Sequence, residues 1–266
     1  MISDADKKII AEFKSLKTTD FATLPNVKKF QYLDVLSNKL QSPQEYAQTF
    51  DGVYDNLRAC LFSIKPDKHF LLTEKQKVNR FINGLVGWGL DKVIKSADVR
   101  SEMQKKDDIN KFINSFCEVY KVTKPEVIFK NDENSACSTK NDGSSIRLRH
   151  DFLQKNMNWY DYESIFHEMI HVYQKHLYAE DSKEYKMFSP QYELLKFGTY
   201  MANKKDEVKT RDSKVNEIYA LLPSETHAYW ISHEFSALFN EKTFKRPYKC
   251  NLGYCGSRAL WFGRDL

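Results

Sequence analysis

Ser164-Ile165-Phe166-His167-Glu168-Met169-Ile170-His171-Val172-Tyr173-Gln174 governs how the rest of the chain is read. It contains H-E-x-x-H, the pattern of a zinc-binding helix that carries its own base. On an α-helix, residues four apart stand one above the other on one face. His167 and His171 can therefore present two imidazoles to one ion. Glu168 lies about 100° round the axis from His167, near enough to hold a water beside the metal without ligating it. Phe166, Ile170, Tyr173 and Leu177 recur at helical spacing on another side. The stretch is expected to form a buried helix with one polar stripe facing a cleft.

A catalytic zinc takes three protein ligands and keeps one position for water. In the spacing H-E-x-x-H-x-x-G-x-x-H the glycine position is Gln174 and the last histidine position is Leu177, so that class is excluded. His176 points off the stripe and reads as a surface histidine. Glu225 is the better third ligand. It opens a later helix within Pro223-Ser224-Glu225-Thr226-His227-Ala228-Tyr229-Trp230, and the small residues Ala228, Ser232 and Ser236 follow every four positions. Small residues there would let this helix approach the metal helix closely. A first-turn acid favoured by the helix dipole is the structural alternative for Glu225.

H-E-M-I-H-V-Y-Q followed by Tyr219-x-x-x-Pro223-x-Glu225-x-x-Ala228-Tyr229 resembles the gluzincin group of zinc metallopeptidases, and within it short bacterial zincin-like domains with a later P-x-E-x-x-A. The resemblance spans about residues 105 to 245. It implies one zinc held by His167, His171 and Glu225, with Glu168 as general base. The chain departs from the thermolysin pattern, having no N-E-x-x-S-D around the third ligand. Tyr219, His227 and Tyr229 are candidates for stabilising the oxyanion.

Composition sets the outer bounds. The 266 residues suffice for one large domain or two small ones, and the 41% hydrophobic fraction can build a core. The net charge of +5 is small and spread along the chain, which argues against nucleic-acid binding. Five cysteines, of which only Cys250 and Cys255 are close, point to a reducing folding environment. That pair lacks a second Cys/His pair, which argues against a structural zinc. No apolar run approaches the ~20 residues of a membrane span. The start has no apolar core of a signal peptide, so the expected location is cytoplasmic, or exported without a cleavable signal.

Residues 1–105 read as helical throughout, as a layer or recognition module. Helices are expected over Asp4 to Leu16, over Asn26 to Leu40, from Ser42 through Leu57, from Thr73 through Trp88, and over Asp108 to Val122. Gly84, Gly87 and Gly89 either weaken their helix or permit close packing. Glu126 to Phe129 is a strand, and Asn141-Asp142-Gly143 turns a hairpin between Ser135–Lys140 and Ser144–Arg149. Ser144 to Arg149 is expected to border the zinc cleft and hold an extended substrate. Asp161 is the expected cap of the metal helix. A helix is expected around Gln191 to Met201. Asn203 to Lys214 is almost wholly polar and reads as a mobile loop.

The fold expected is α+β and mainly helical, with 106–245 a zincin-like metallopeptidase domain with a small sheet and 246–266 a tail. The function expected is hydrolysis of peptide bonds in a protein or peptide substrate, through zinc and Glu168. Two alternatives stand beside it: a secreted or toxin-like effector protease aimed at one protein, and a zinc-containing binding protein with weak turnover. Oligomeric state is not readable from the sequence.

Overall fold

The computed structural model describes residues 2–38, 40–131, 136–140 and 142–245. Its elements, in order, are α1 (Asp4–Ser15), α2 (Asn26–Leu36), α3 (Pro43–Phe50), α4 (Tyr54–Phe62), α5 (Lys68–Trp88), α6 (Leu90–Lys95), α7 (Glu102–Tyr120), β1 (Glu126–Lys130), β2 (Cys137–Thr139), β3 (Ser145–Arg149), α8 (Asp151–Gln154), α9 (Trp159–Glu180), α10 (Glu193–Ala202), α11 (Val208–Leu221) and α12 (Pro223–Phe244). The protein is mainly helical with one small mixed sheet, the expected α+β class. Among the described residues, no helix is long and apolar enough to cross a membrane.

The chain forms two compact units. Among the described residues, the first combines those up to Pro66 with Ser182–Thr226, and the second combines Asp67–Asp181 with 227–245. This division differs from the sequential cut at 105, because α5 and α7 share a core with the metal helix. The tail beyond Lys245, with Cys250 and Cys255, lies outside the described residues, as do Ser135 and Asn141 of the expected hairpin.

The first unit is all helix around an apolar core that includes Phe13, Phe21, Leu57, Leu61, Leu195 and Ile218. Ser42 opens α3 as expected: its hydroxyl accepts from the Glu45 amide at 3.2 Å, and the Glu45 carboxylate accepts from the Ser42 amide at 3.2 Å. The helix expected to run on through Leu57 is two helices, because Gly52 takes φ 67° and turns the chain between α3 and α4. Gly198 brings α10 against α3 so closely that a Cβ there would lie 2.3 Å from the Phe50 ring. The expected loop at Asn203 to Lys214 is helical from Val208 onward. Val215, Ile218 and Leu221 recur at helical spacing and are buried, which outweighs the polarity of the first turns. Lys214 reaches back to Asp206 at 2.7 Å and to Asn203 at 3.1 Å.

The second unit holds the sheet. α5 begins a turn earlier than Thr73, because the Asp67 carboxylate accepts from the His69 amide at 2.7 Å and caps the helix there. Gly89, at φ 83°, ends it, while Gly84 and Gly87 have open space where a Cβ would stand. α7 also starts earlier than expected, on a Ser101/Gln104 capping box. β3 is the central strand, parallel to β1 and antiparallel to β2, and Gly143 at φ 73° turns the hairpin. The core is aromatic: Phe166 of α9 stacks on Phe235 of α12 at 4.4 Å and on Phe81 of α5 at 5.4 Å between ring centroids.

Candidate metal centre

Helix α9 carries the H-E-x-x-H stretch. Its cap is Asn158, whose side chain accepts from the Tyr160 amide at 2.8 Å. Asp161, expected as the cap, is the partner three residues on, and its carboxylate accepts from the Asn158 amide at 2.7 Å. Phe166, Ile170, Tyr173 and Leu177 are buried as their spacing requires. His167, Glu168 and His171 are half-buried, which leaves them accessible.

The Nε2 atoms of His167 and His171 are 3.2 Å apart. Two imidazoles on one tetrahedral zinc, with bonds of 2.0–2.1 Å, place their nitrogens about 3.3 Å apart. Glu225, on the first turn of α12 and 2% exposed, offers a carboxylate oxygen. One ligand atom from each of His167, His171 and Glu225 lies within 4.8 Å of the others. Two imidazoles and a carboxylate form a catalytic donor set with a position left open. The histidine pair has the spacing of two ligands on one ion, and the three residues together could hold a metal. Ala228, Ser232 and Ser236, read as permitting close approach, are all buried.

Glu168 does not join this cluster. Its Oε2 accepts from the Thr139 hydroxyl at 2.7 Å, and the same hydroxyl lies 3.0 Å from the Glu168 backbone carbonyl. Thr139 belongs to β2, so β2 lies beside the metal helix at this carboxylate. The expectation that Ser144 to Arg149 supplies a rail for substrate is corrected here. β3 is paired on both sides, so its backbone groups are already used. β2 is the edge strand. Lys140 donates to Ser145 and Arg149 to Ala136, so residues 136, 138 and 140 face β3. The backbone of Thr139 faces the other edge, where no strand pairs among the described residues.

The tyrosine candidates separate. The ring of Tyr229 lies 4.6 Å from that of His167, centroid to centroid. Tyr219 packs against the apolar core of the first unit, with the Lys196 ammonium 4.3 Å from its ring centre. His227 is fully buried, and its two ring nitrogens face protein groups: Gln174 Nε2 at 3.0 Å and Glu74 Oε2 at 3.5 Å. This burial removes it as a donor to substrate. His176 pairs with Glu180 at 3.0 Å, as a surface histidine should.

Behind the histidines runs a line of buried polar groups that the motif did not announce. His171 Nδ1 lies 2.9 Å from Gln174 Oε1. Gln174 continues to His227, whose Nε2 stands 3.5 Å from Glu74 Oε2 with no hydrogen bond between the two atoms. Glu74 also accepts from Tyr173 at 2.9 Å and from Lys77 at 3.0 Å. Burial pushes the Glu74 carboxyl up, but His227 and Lys77 pull it further down, and it ends below the ordinary carboxylate range. Burial likewise holds His227 below the usual histidine value, against the opposing pull of Glu74. A signal for Gln174 was present, since it stands three residues after His171 on the same helix. None marked Glu74 or Thr139, whose places depend on tertiary packing. No family model, curated protein or solved structure matches the chain.

Proposed function

We propose that this chain is a zinc-dependent peptidase. The observation that carries the proposal is the 3.2 Å separation of the two Nε2 atoms, with the buried Glu225 carboxylate beside them. His167, His171 and Glu225 would hold the ion. When bound, zinc supplies a Lewis acid that polarises the scissile carbonyl and lowers the pKa of water. Glu168 takes the proton from the attacking water and returns it to the leaving amine. The Thr139 hydroxyl keeps that carboxylate oriented. Tyr229, whose ring lies 4.6 Å from that of His167, would donate to the developing oxyanion. An extended peptide adds to the outer edge of β2, next to the base.

Metal analysis of the purified protein, joined to proteomic cleavage profiling, tests this. One zinc per chain and a defined set of cleavages are expected. Glu168→Gln keeps size and removes the base, so zinc content stays at the wild-type level while hydrolysis falls roughly 10²–10⁴-fold. Glu225→Ala should weaken zinc binding far more than His176→Ala. A wild-type protein that carries no zinc, or a Glu168→Gln variant that cleaves at the wild-type rate, overturns the proposal.

A further inference from the structure

We infer that Lys175 is a positioning residue for Glu168, acting at a distance through the turn between β2 and β3. The inference rests on the peptidase reading above and adds to it the group that holds the turn. Thr139 and Lys140 are consecutive, and each is tied to a different part of α9. The Thr139 hydroxyl meets Glu168 twice, at 2.7 Å from Oε2 and at 3.0 Å from the main-chain oxygen. The main-chain oxygen of Lys140 accepts from the Lys175 ammonium at 2.7 Å. Glu168, Val172 and Lys175 follow one another at spacings of four and three, so they share one face of the helix. Gly143 lies on that face too: a Cβ there would stand 3.5 Å from the Lys175 side chain and 3.7 Å from the Val172 Cα. The Gly143 amide donates to the same Lys140 oxygen, at 2.8 Å. This oxygen is where the turn and the helix meet.

β2 needs such a tie. It is three residues long and, among the described residues, pairs with a strand on one side only. Short, singly paired segments open locally at little cost. A base held by one hydroxyl on such a strand would move with it. A second tie one residue away removes that freedom, because successive Cα atoms are fixed at about 3.8 Å. The tie is also a strong one, since a hydrogen bond from an ionised donor is roughly twice as strong as a neutral one. The hold on Glu168 does not depend on the proton of its carboxyl group. The hydroxyl donates to a charged carboxylate, or it accepts from a protonated one while donating to the main-chain oxygen.

The test is a double-mutant cycle with a rescue. Lys175→Met keeps the stem and removes the donor, Lys175→Arg keeps a charged donor, and Thr139→Val keeps the shape and removes the hydroxyl. In peptide hydrolysis Thr139→Val should lower kcat by up to roughly 100-fold, the cost of a reacting group misplaced by about 1 Å. Lys175→Met should lower kcat about 10-fold, the share of one hydrogen bond from a charged group. KM and zinc content should stay near wild type in both, because β2 remains paired with β3. Lys175→Arg should restore most of the rate. In the Thr139→Val background Lys175→Met should have little further effect, since the lysine acts through that hydroxyl. Fully additive losses overturn the inference. The hold is also read without substrate, on the full-length protein as purified. Three-bond couplings should show a single χ1 rotamer for Thr139 in the wild type. Lys175→Met should average those couplings and speed exchange of the Gly143 amide about 10-fold. A Thr139 averaged among rotamers in the wild type overturns the inference, as do couplings and exchange unchanged by Lys175→Met. If wild-type protein cleaves nothing, the peptidase reading fails. The couplings still decide, separately, whether the lysine holds Thr139 in place.

Discussion

Glu74 in one unit and Glu217 in the other meet the same kinds of partner. Glu217 accepts from the Tyr54 hydroxyl and from the Arg58 guanidinium. Glu74 accepts from the Tyr173 hydroxyl and from Lys77. Both carboxylates sit below their ordinary range: burial raises each, and the hydrogen-bonding and charged neighbours more than reverse it. The difference is solvent. The Glu217 and Arg58 side chains are 39% and 52% exposed, whereas Glu74 is fully buried and faces a buried histidine. The first unit places its ion pair where it costs little and contributes little. The second takes on a desolvation cost at a carboxylate buried behind the candidate metal centre.

Truncating both carboxylates breaks this comparison most sharply. Glu74→Ala leaves Lys77 and Tyr173 without this acceptor. Removing one partner of a buried pair costs 3–5 kcal/mol, and the partial exposure of Lys77 puts the expected loss near the low end, about 3 kcal/mol. Glu217→Ala breaks a largely solvated pair and should cost at most about 1 kcal/mol. Denaturant unfolding of the two variants checks this; equal losses would mean that burial is not what separates them. The sign of the pH dependence follows. Each folded-state pKa is depressed, so each contribution is complete above the unfolded value of about 4.3 and lost as pH falls through the folded value. Glu74→Gln should flatten the acid limb of stability more than Glu217→Gln does.

What the sequence displayed and what it concealed divide along the same line. His167, Glu168 and His171 were legible as one cluster because helical spacing is local, and Glu225 became a candidate only through the small residues that follow it and its P-x-E-x-x-A resemblance. The apolar stripe of α9 and the Ser42 box were legible for the same local reason. The breaks at Gly52 and Asp67 were missed because apolar periodicity ran through the first, and a second plausible cap at Thr73 masked the second. Asn203 to Lys214 reads as a loop because it is polar, and the buried residues that anchor the helix over its second half, Val215, Ile218 and Leu221, all lie beyond it. The edge position of β2 depends on which strand pairs with β1, and nothing in the alternation of Ser144 to Arg149 states that β3 is central. Glu74 lies 171 − 74 = 97 residues from His171, and no spacing rule reaches so far.

If the first unit relies on apolar contact more than on charge, its tightest contact should be sensitive. At Gly198 an added methyl would meet the Phe50 ring at 2.3–2.6 Å, and Phe50 is 3% exposed. The ring has little room to retreat. Gly198→Ala should destabilise by about 1–3 kcal/mol, the usual cost of overpacking, with zinc affinity unchanged. A neutral or stabilised variant would show that α3 and α10 are less closely held than described.

The smallest effect comes from a glycine with the opposite surroundings, in the other unit. Gly84 lies inside α5 on its exposed face, and a Cβ there meets no atom within 4 Å. Its backbone is helical, a conformation alanine adopts without strain. Glycine in a helix interior is less favourable than alanine by roughly 0.5–1 kcal/mol, mostly because the unfolded glycine chain has more freedom to lose. Gly84→Ala should therefore stabilise by about that amount, with the proposed zinc uptake and peptidase activity unchanged. The sequence left two purposes open for this residue: weakening the helix, or allowing a close approach. Thermal unfolding separates them. A rise in Tm of a few degrees matches the open space at Gly84. A fall would mean that some group approaches α5 at this face, and the contrast with Gly198 would dissolve, since both glycines would then be making room for a neighbour.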